Sequence, residues 1–531
     1  MLNLVKTKNK GFLKILKRVK NINWFYVIVL TFLVAYVSHL ILKYHFVLWD
    51  EAVYIGIGKY LFSSGQVGLW EEIRPLGIPL LFGGAWKLGL NPVIAGRVIE
   101  LLFSIGTISL VYLISKEIFN KKIASINIVI YVITPLFFYN SLRLMTGVPS
   151  TFFVLLATYF FIKKQLFWAG LGAALAFIFR YPQGLIVLIC LLTLLLEFLL
   201  SKEQFKQPKQ LKIRIKRLIK DFTYFLSGFL PLIIVLFIFN YYKYGSALYP
   251  FISAFSHGGN LVHAVESKIT GLFFYLIALL QHNLLLCLGV LGFVIAIWQI
   301  IRKKPINKTY NKLIIIVLSI ILFYSYLTII VNKQARFGIV IIPFLAILSG
   351  YGLNQVLELI FSQTNKKTAN HNITIKQTWL KILPIALLII FIIYSFGSSM
   401  YMNYQKYNSF PAEKPVIVDE YYNFFPDNFE GVILTADPVH VAYTDIKMIP
   451  YYFSTIEASP IYDKWISKKD TSELKEQVTA IVFIPGPFVC FDNDCRDKLK
   501  PELFSKIKEN PNNKLVFEKK YEEVKSIYYV E

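Results

Sequence analysis

Long apolar segments fill the first 400 of 531 residues and constrain the fold more than any other feature. A helix needs about 20 apolar residues to cross the hydrocarbon core of a bilayer. Segments near that length are Trp24–Leu42, Ile123–Tyr139, Phe222–Phe239, Leu313–Val331, Phe337–Leu357 and Ile382–Phe396. Shorter apolar segments are Val148–Ile162, Leu166–Phe179 and Leu185–Leu200. We therefore predict a polytopic α-helical membrane protein with about 11 transmembrane helices.

The charge of the chain is distributed unequally. Residues 401–531 carry 16 Lys/Arg and 21 Asp/Glu, a net charge of −5. The net charge of the whole chain is +24, so residues 1–400 carry a net charge of +29. Within residues 1–400, the span ends and loops on one side of the membrane hold 29 Lys/Arg and those on the other side hold 10. Because cytoplasmic loops are enriched in Lys and Arg, this bias predicts a cytoplasmic N-terminus. It also explains the basic charge without a nucleic-acid partner.

These patterns divide the chain into three parts. They are a basic cytoplasmic N-terminus (residues 1–23), a transmembrane domain (residues 24–400) and a C-terminal extracytoplasmic domain (residues 401–531). The outer loop 45–92 is expected to carry two juxtamembrane helices, at Glu51–Leu61 and Pro75–Leu90, and Ile269–Leu280 is a third candidate. The first apolar segment is longer than that of a signal peptide and no small-residue cleavage site follows it, so we predict a retained first span.

The C-terminal domain has the pattern of a small α/β unit. Short β-prone segments are Val416–Val418, Val432–Leu434, Ala480–Ile484, Leu515–Phe517 and Ser526–Val530. Pro501–Lys508 is predicted to be a short helix. Cys490 and Cys495 are close in sequence with no further Cys or His nearby, which favours a disulfide over a zinc site. Neither a phosphate-binding loop nor a nucleophile motif occurs here, so a binding or shielding role is favoured.

Carboxylates at the predicted outer membrane boundary are candidates for chemistry, because ionisable side chains are costly there. Asp50 and Glu51 follow Trp49 shortly after the first span. A carboxylate at this place could accept a proton from an acceptor hydroxyl as a general base. Asp50 could equally serve as the N-cap of the helix that follows. Tyr54 and Glu72 in the same loop are candidates for lining a substrate site.

Three arginines, Arg74, Arg180 and Arg336, lie at predicted boundaries on the side poor in positive charge. An Arg at such a place can bind a lipid phosphate through two hydrogen bonds. Alternatively, it only extends its charged end into the aqueous phase. Several arginines on this side favour an anionic lipid substrate.

A group of polar residues, His257, Asn260, His263 and Glu266, lies in a later predicted outer loop. Imidazole and carboxylate groups can bind a divalent metal ion, for which His257, His263 and Glu72 are the candidate ligands. The spacing matches no recognised metal site, so a loop that lines the substrate site, including His257 and Asn260, is favoured. The sequence leaves any cofactor unknown.

Trp49–Tyr54, followed by Arg74–Leu80, resembles the first outer loop of GT-C glycosyltransferases. The group that it resembles contains the protein O-mannosyltransferases and the lipid A aminoarabinose transferases, in particular archaeal members. Arg336–Gly350 and Arg180–Gly184 resemble further segments of that group. Together the matching segments extend from about residue 45 to residue 360.

The resemblance implies a sugar donor on polyprenyl or dolichyl phosphate and a hexosyl or pentosyl transfer on the outer face, with inversion at the sugar carbon. By the same resemblance, Asp50 would be the catalytic base and Glu51 its partner in the site. Arg74 would bind the donor phosphate, with Arg336 and Arg180 as further candidates. The acceptor, whether a protein, a glycan or a lipid, stays open.

Gly147 is a departure from the resemblance, because many relatives have an acidic residue at that place. The Trp-Trp-Asp motif of oligosaccharyltransferases is also absent, which disfavours the transfer of a whole oligosaccharide. The alternative function is a transporter or lipid flippase, which would require ionisable residues within the spans and paired repeats. Only Glu197 and Glu100 fit the first requirement and no repeat is evident, so a glycosyltransferase is favoured.

Overall fold

The protein is described by a computed structural model that covers residues 23–200, 208–260, 271–302, 308–330, 333–367, 375–426, 428–451, 478–484, 505 and 507–530. The helices of the first half are α1 (Trp24–Leu42), α2 (Trp49–Phe62), α3 (Gly77–Lys87), α4 (Pro92–Ile118), α5 (Lys121–Val132), α6 (Pro135–Ser141), α7 (Gly147–Ile162), α8 (Leu166–Phe179), α9 (Leu185–Leu200) and α10 (Pro208–Tyr244). Those that follow are α11 (Tyr249–Asn260), α12 (Phe274–His282), α13 (Leu286–Arg302), α14 (Lys308–Ile329), α15 (Ile342–Lys367) and α16 (Ile375–Asn408).

Seven helices within the described residues are long and apolar enough to cross a membrane, and the bent pair α5 and α6 would make an eighth span. The bend of 68° lies at Thr134-Pro135, because proline cannot donate the backbone hydrogen bond that would continue α5. Three shorter apolar helices, α7, α8 and α13, would bring the number to the predicted 11. The membrane-protein fold class is confirmed, and the number of spans stays a prediction.

The helices pack through apolar side chains and small residues. Helices α13 and α15 approach closely at Gly352, where an added Cβ would lie 2.2 Å from the carbonyl oxygen of Leu288. Small residues are common at contacts between membrane helices, because they allow the two backbones to come together. Helices α1, α10 and α16 expose many apolar side chains, as expected of helices that face lipid.

In the described part of the C-terminal domain, five strands form a sheet in the order β2-β1-β3-β5-β4. Its strands are β1 (Val432–Thr435), β2 (Lys447–Pro450), β3 (Ala480–Phe483), β4 (Asn513–Lys520) and β5 (Val524–Val530). Strand β1 is parallel to β2 and β3, and β5 is antiparallel to β3 and β4. The four predicted strands from residue 432 onward are therefore found, and β2 was missed.

The predicted strand Val416–Val418 is wrong, because the backbone there is helical and continues into the turn Val418–Tyr422. The aromatic side chains of that turn pack on the sheet, so their β-propensity is overridden by tertiary contacts. The predicted helix Pro501–Lys508 falls largely outside the described residues, and Cys490 and Cys495 with their predicted disulfide fall wholly outside them.

The loop between α1 and α4 (residues 43–91, here the first loop) is joined to the C-terminal sheet. Gly68 forms a parallel bridge with Lys447, donating to Ile446 O at 3.0 Å and accepting from Met448 N at 2.7 Å. Only glycine fits at position 68, since φ is +91° and a Cβ would lie 2.3 Å from Gly56 O. The first loop and the sheet thus share one apolar core.

Candidate functional site

Two arginines from distant parts of the sequence hold the Asp50 carboxylate. Asp50 lies in the first turn of α2, and its Oδ1 accepts from Arg74 Nη1 at 2.9 Å. Its other oxygen, Oδ2, accepts from Arg336 Nη1 at 3.0 Å. Arg74 belongs to the first loop, and Arg336 lies in the helical turn Ala335–Val340 immediately before α15. The structure therefore brings together three of the residues predicted to form the site.

The charge of Asp50 follows from these contacts. Burial acts to raise the pKa of Asp50, but the Arg74 and Arg336 guanidinium groups outweigh it and lower the pKa below its ordinary value. The carboxylate is therefore ionised at neutral pH. N-capping of α2 does not explain its position, because Leu48 occupies the N-cap and Glu51 accepts from Leu48 N at 3.0 Å.

Arg74 is fixed from three directions. Its Nε donates to Glu71 Oε2 at 2.7 Å, and its backbone carbonyl accepts from Tyr181 Oη at 3.1 Å. The Tyr54 ring forms a cation–π contact with the guanidinium, since the ring centroid lies 5.6 Å from Arg74 Cζ. These contacts leave Arg74 oriented towards Asp50 with Tyr54 beside it, and the substrate-lining role of Tyr54 stays a prediction.

Arg180 is a further cation beside this group. Its Cζ lies 5.0 Å from the centroid of the Phe337 ring, and within the described residues it forms no ion pair with a carboxylate. Burial lowers the pKa of Arg180, and the nearby Arg336 adds to that effect. Arg180 is partly buried, and a guanidinium withdrawn from solvent without a carboxylate partner is stabilised when an anion binds to it. Arg180 is therefore suited to hold a negatively charged ligand.

A cavity of about 130 Å³ adjoins Arg180. Its apolar lining includes Phe323 and Leu327 of α14, Ile330 just after that helix, and Phe337. A cation at the end of an apolar cavity is complementary to a ligand with an anionic head and a hydrocarbon chain.

Glu51 is fully buried and belongs to a group of charged residues separate from Asp50. Its carboxylate accepts from Leu144 N at 3.2 Å in addition to Leu48 N, and it lies 3.7 Å from Arg97 Nη2 and 3.9 Å from Arg143 Nη1. These contacts tie the start of α2 to α4 and to the segment before α7. The geometry gives Glu51 a positioning role, and its predicted direct part in the site stays a prediction.

The other predicted site residues are Glu72, His257, Asn260 and His263. Glu72 is buried in the first loop, and the backbone at His257 and Asn260 is the end of helix α11 instead of the predicted loop. His263 lies outside the described residues. No group of three or more His, Cys, Asp or Glu side chains that could hold a metal ion occurs in the part of the chain that the structure describes. The divalent metal ion stays a prediction.

Several contributors to the site were missed from the sequence. Glu71 could have been found, because it precedes Arg74 by three residues, a spacing at which side chains on a helical turn meet. Nothing in the sequence around Arg97 and Arg143 links these two cations to Glu51. Their convergence on Glu51 depends on helix packing, and so does the contact of Tyr181 with Arg74.

Comparison with known proteins supports the expected class. Residues 74–215 match the model of the dolichyl-phosphate-mannose-protein mannosyltransferase family. No curated protein sequence matches the chain. Among solved structures, ArnT from Cupriavidus metallidurans bound to undecaprenyl phosphate is similar with a TM-score of 0.58 and 13% identity, over 95% of this chain and 97% of that one.

Two structures of an archaeal oligosaccharyltransferase are also similar. The complex of AglB from Archaeoglobus fulgidus with an inhibitory peptide and a dolichol-phosphate has a TM-score of 0.56 and 12% identity, over 96% of this chain and 74% of that one. The apo form of the Archaeoglobus fulgidus oligosaccharyltransferase has a TM-score of 0.54 and 13% identity, over 88% and 70%. The protein is thus a multi-pass membrane protein with the GT-C fold. The predicted resemblance to GT-C glycosyltransferases is confirmed.

Proposed function

We propose that the protein is a membrane glycosyltransferase that moves a sugar from a polyprenyl- or dolichyl-phosphate donor to an acceptor hydroxyl. The observation that carries this proposal is the Asp50 carboxylate held between Arg74 and Arg336, with Arg180 beside them. The site thus combines a base with cations for a phosphate. The family model that matches residues 74–215 and the lipid phosphates in two similar structures support the same donor class.

The donor phosphate is assigned to Arg180 and Arg336. Arg180 has no carboxylate partner among the described residues, and the apolar cavity that it adjoins would accept the first part of the lipid chain. Arg336 is 38% exposed and can turn from Asp50 to a phosphate oxygen. Arginine suits this task, because its planar guanidinium donates two parallel hydrogen bonds to a phosphate.

Asp50 is assigned as the general base. The acceptor hydroxyl gives its proton to the carboxylate while its oxygen attacks the anomeric carbon. The bond between that carbon and the phosphate oxygen breaks, and the lipid phosphate leaves with the electron pair. Attack from the side opposite the phosphate inverts the sugar carbon. The incoming donor phosphate competes with Asp50 for Arg336, which weakens the effect of that cation on Asp50 and raises the basicity of the carboxylate.

The reaction is assigned to the outer face of the membrane. The distribution of Lys and Arg supports this side, since the Asp50 end of the bundle is the end poor in basic residues. The C-terminal domain lies over the first loop at the same end and would border the path of the acceptor. Protein, glycan and lipid hydroxyls all fit this arrangement.

The test uses a strain that lacks the gene, complemented with wild-type protein, Asp50→Asn or Asp419→Asn. Asp419 is an exposed carboxylate of the C-terminal domain and serves as the matched control. Mass spectrometry of surface glycoproteins and lipids should show the loss of one sugar in the deletion strain. Wild type and Asp419→Asn restore it, and Asp50→Asn does not, because removal of a general base slows transfer about 10²–10⁴-fold. Restoration of the sugar by Asp50→Asn would refute the assignment.

A further inference from the structure

A second cavity, larger than the one beside Arg180, lies at the end of the bundle remote from Asp50. It has a volume of about 1090 Å³ and is formed by the start of α1, the last part of α4 and the start of α5. Lys116, Lys121 and Lys122 form its polar rim. Its wall is mainly apolar and includes Trp24 and Phe25. The cavity therefore has a cationic end and a hydrocarbon-like side.

The three lysines have no carboxylate partner among the described residues. The one acidic residue in this segment, Glu117, is already paired with Lys163 at 2.9 Å and with Lys312 at 2.7 Å. Lys121 and Lys122 also begin α5, where the helix dipole adds partial positive charge. Positive charge in the rim is therefore uncompensated by the described part of the chain, and an anion would stabilise it.

The position of the rim matches a membrane surface. Arg97, which contacts Glu51 near the catalytic end, and Lys116 are both in α4 and are separated by 19 residues, or about 28 Å at roughly 1.5 Å per residue. That distance is close to the thickness of the hydrocarbon core, about 30 Å. The aromatic residue Trp24 at the same level is typical of a membrane–water interface. The rim thus lies at the level of lipid headgroups.

We propose that this cavity binds one acidic phospholipid of the leaflet opposite the catalytic site. The headgroup phosphate contacts Lys116, Lys121 and Lys122, and an acyl chain lies along Trp24 and Phe25. Basic pockets between membrane helices hold anionic headgroups in this way. Residues 1–22 carry seven Lys/Arg and no acidic residue, so they supply no carboxylate for the three lysines. This site is independent of the proposed transfer reaction.

The test is native mass spectrometry of the purified full-length protein in detergent, mixed with phosphatidylglycerol or phosphatidylcholine. Wild type should retain one phosphatidylglycerol under conditions that remove phosphatidylcholine. The triple variant Lys116→Gln, Lys121→Gln, Lys122→Gln should bind phosphatidylglycerol at least about tenfold more weakly. The control Lys212→Gln, Lys216→Gln, Arg217→Gln removes the same charge from the exposed surface of α10 and should bind as wild type does.

The same experiment separates the alternatives. Equal weakening in the control variant would mean general attraction to a basic surface, and equal retention of phosphatidylcholine would mean no recognition of charge. Displacement of phosphatidylglycerol by millimolar inorganic phosphate would identify a simple anion site. Each of these results overturns the proposal. Single variants Lys121→Gln and Lys122→Gln, which change exposed side chains, should each give a smaller loss and keep the thermal stability of wild type.

Discussion

Arg336 Nη1 lies 3.0 Å from Asp50 Oδ2, although 286 residues separate the two in the chain. The contact joins the turn Ala335–Val340, which precedes α15, to the start of α2. It also controls the charge of Asp50, because Arg336 and Arg74 together lower the pKa of that carboxyl group. In the proposed function, this contact links binding of the donor by Arg336 to the basicity of Asp50.

Replacement of Arg336 should change both properties. We expect Arg336→Gln to raise the KM for the lipid-linked donor about tenfold or more, since a hydrogen bond to a charged group contributes roughly 1.5–3 kcal/mol. A depressed pKa keeps Asp50 ionised, and activity is lost only as the pH falls through it. Because the variant lacks one of the two cations, the pKa of Asp50 rises and the acidic limb of the pH–rate profile moves to higher pH.

Lys333→Gln is the control for this measurement. Lys333 belongs to the same segment, but its ammonium donates to the backbone carbonyls of Thr328 and Ile330. We expect its pH–rate profile and donor KM to equal those of wild type. An unchanged acidic limb in Arg336→Gln would contradict the proposed control of Asp50.

Gly147 permits a direct test of Arg180. A Cβ at position 147 would lie 3.8 Å from Arg180 Nη1 and 3.5 Å from Ile339 Cγ2, both ordinary contacts. Gly147→Asp should therefore place a carboxylate beside Arg180, and at the N-terminus of α7 that charge is favourable. We expect a higher thermal unfolding temperature together with weaker donor binding, because the new carboxylate takes the place of the donor phosphate.

Gly147→Asn has the same shape without the charge and should bind the donor nearly as wild type does. Donor binding measured by isothermal titration with polyprenyl phosphate distinguishes the two variants. If Gly147→Asp and Gly147→Asn weaken binding equally, the effect is steric and Arg180 has no part in holding the phosphate.

Glu51 should prove to be a positioning residue. Glu51→Gln leaves Arg97 and Arg143 without their buried carboxylate, which we expect to destabilise the protein by about 3 kcal/mol. The donor KM of the folded fraction should stay close to that of wild type. Thermal unfolding and transfer kinetics measure the two effects, with exposed Glu358→Gln as the control. A variant of unchanged stability without transfer activity would instead give Glu51 a direct chemical role.

The sequence was sufficient for the features set by local composition. The bounds of α1 and α8 were predicted correctly, because the apolar segments end at polar or charged residues. The break at Thr134-Pro135 was missed, since the apolar pattern of Ile123–Tyr139 continues through it. Strand β2 was also missed, because its four residues become a strand only by pairing with β1 and Gly68.

The candidate site could likewise be predicted from the sequence only in part. Asp50, Arg74, Arg180 and Arg336 could be chosen individually, because each is an ionisable residue at a membrane boundary. That Arg74 and Arg336 bind opposite oxygens of Asp50 could not be read from the sequence, as it depends on the tertiary fold that brings the turn Ala335–Val340 to the start of α2. The separation of Glu51 from Asp50 follows from the helix, which directs adjacent side chains to different sides.

The contact of Lys59 with the C-terminal domain gives the last prediction. Lys59 is almost fully buried, and its Nζ donates to Val441 O at 2.8 Å and Thr444 O at 3.0 Å and pairs with Asp445 at 2.8 Å. Lys59→Met keeps the length of the side chain but leaves both carbonyls unsatisfied, at a cost of about 2 kcal/mol. Hydrogen exchange of residues 438–447 should then accelerate roughly 30-fold, because local opening becomes easier. The control Lys87→Met changes an exposed lysine nearby and should leave exchange unchanged. Equal exchange in both variants would show that the shared apolar core alone holds the domain on the first loop.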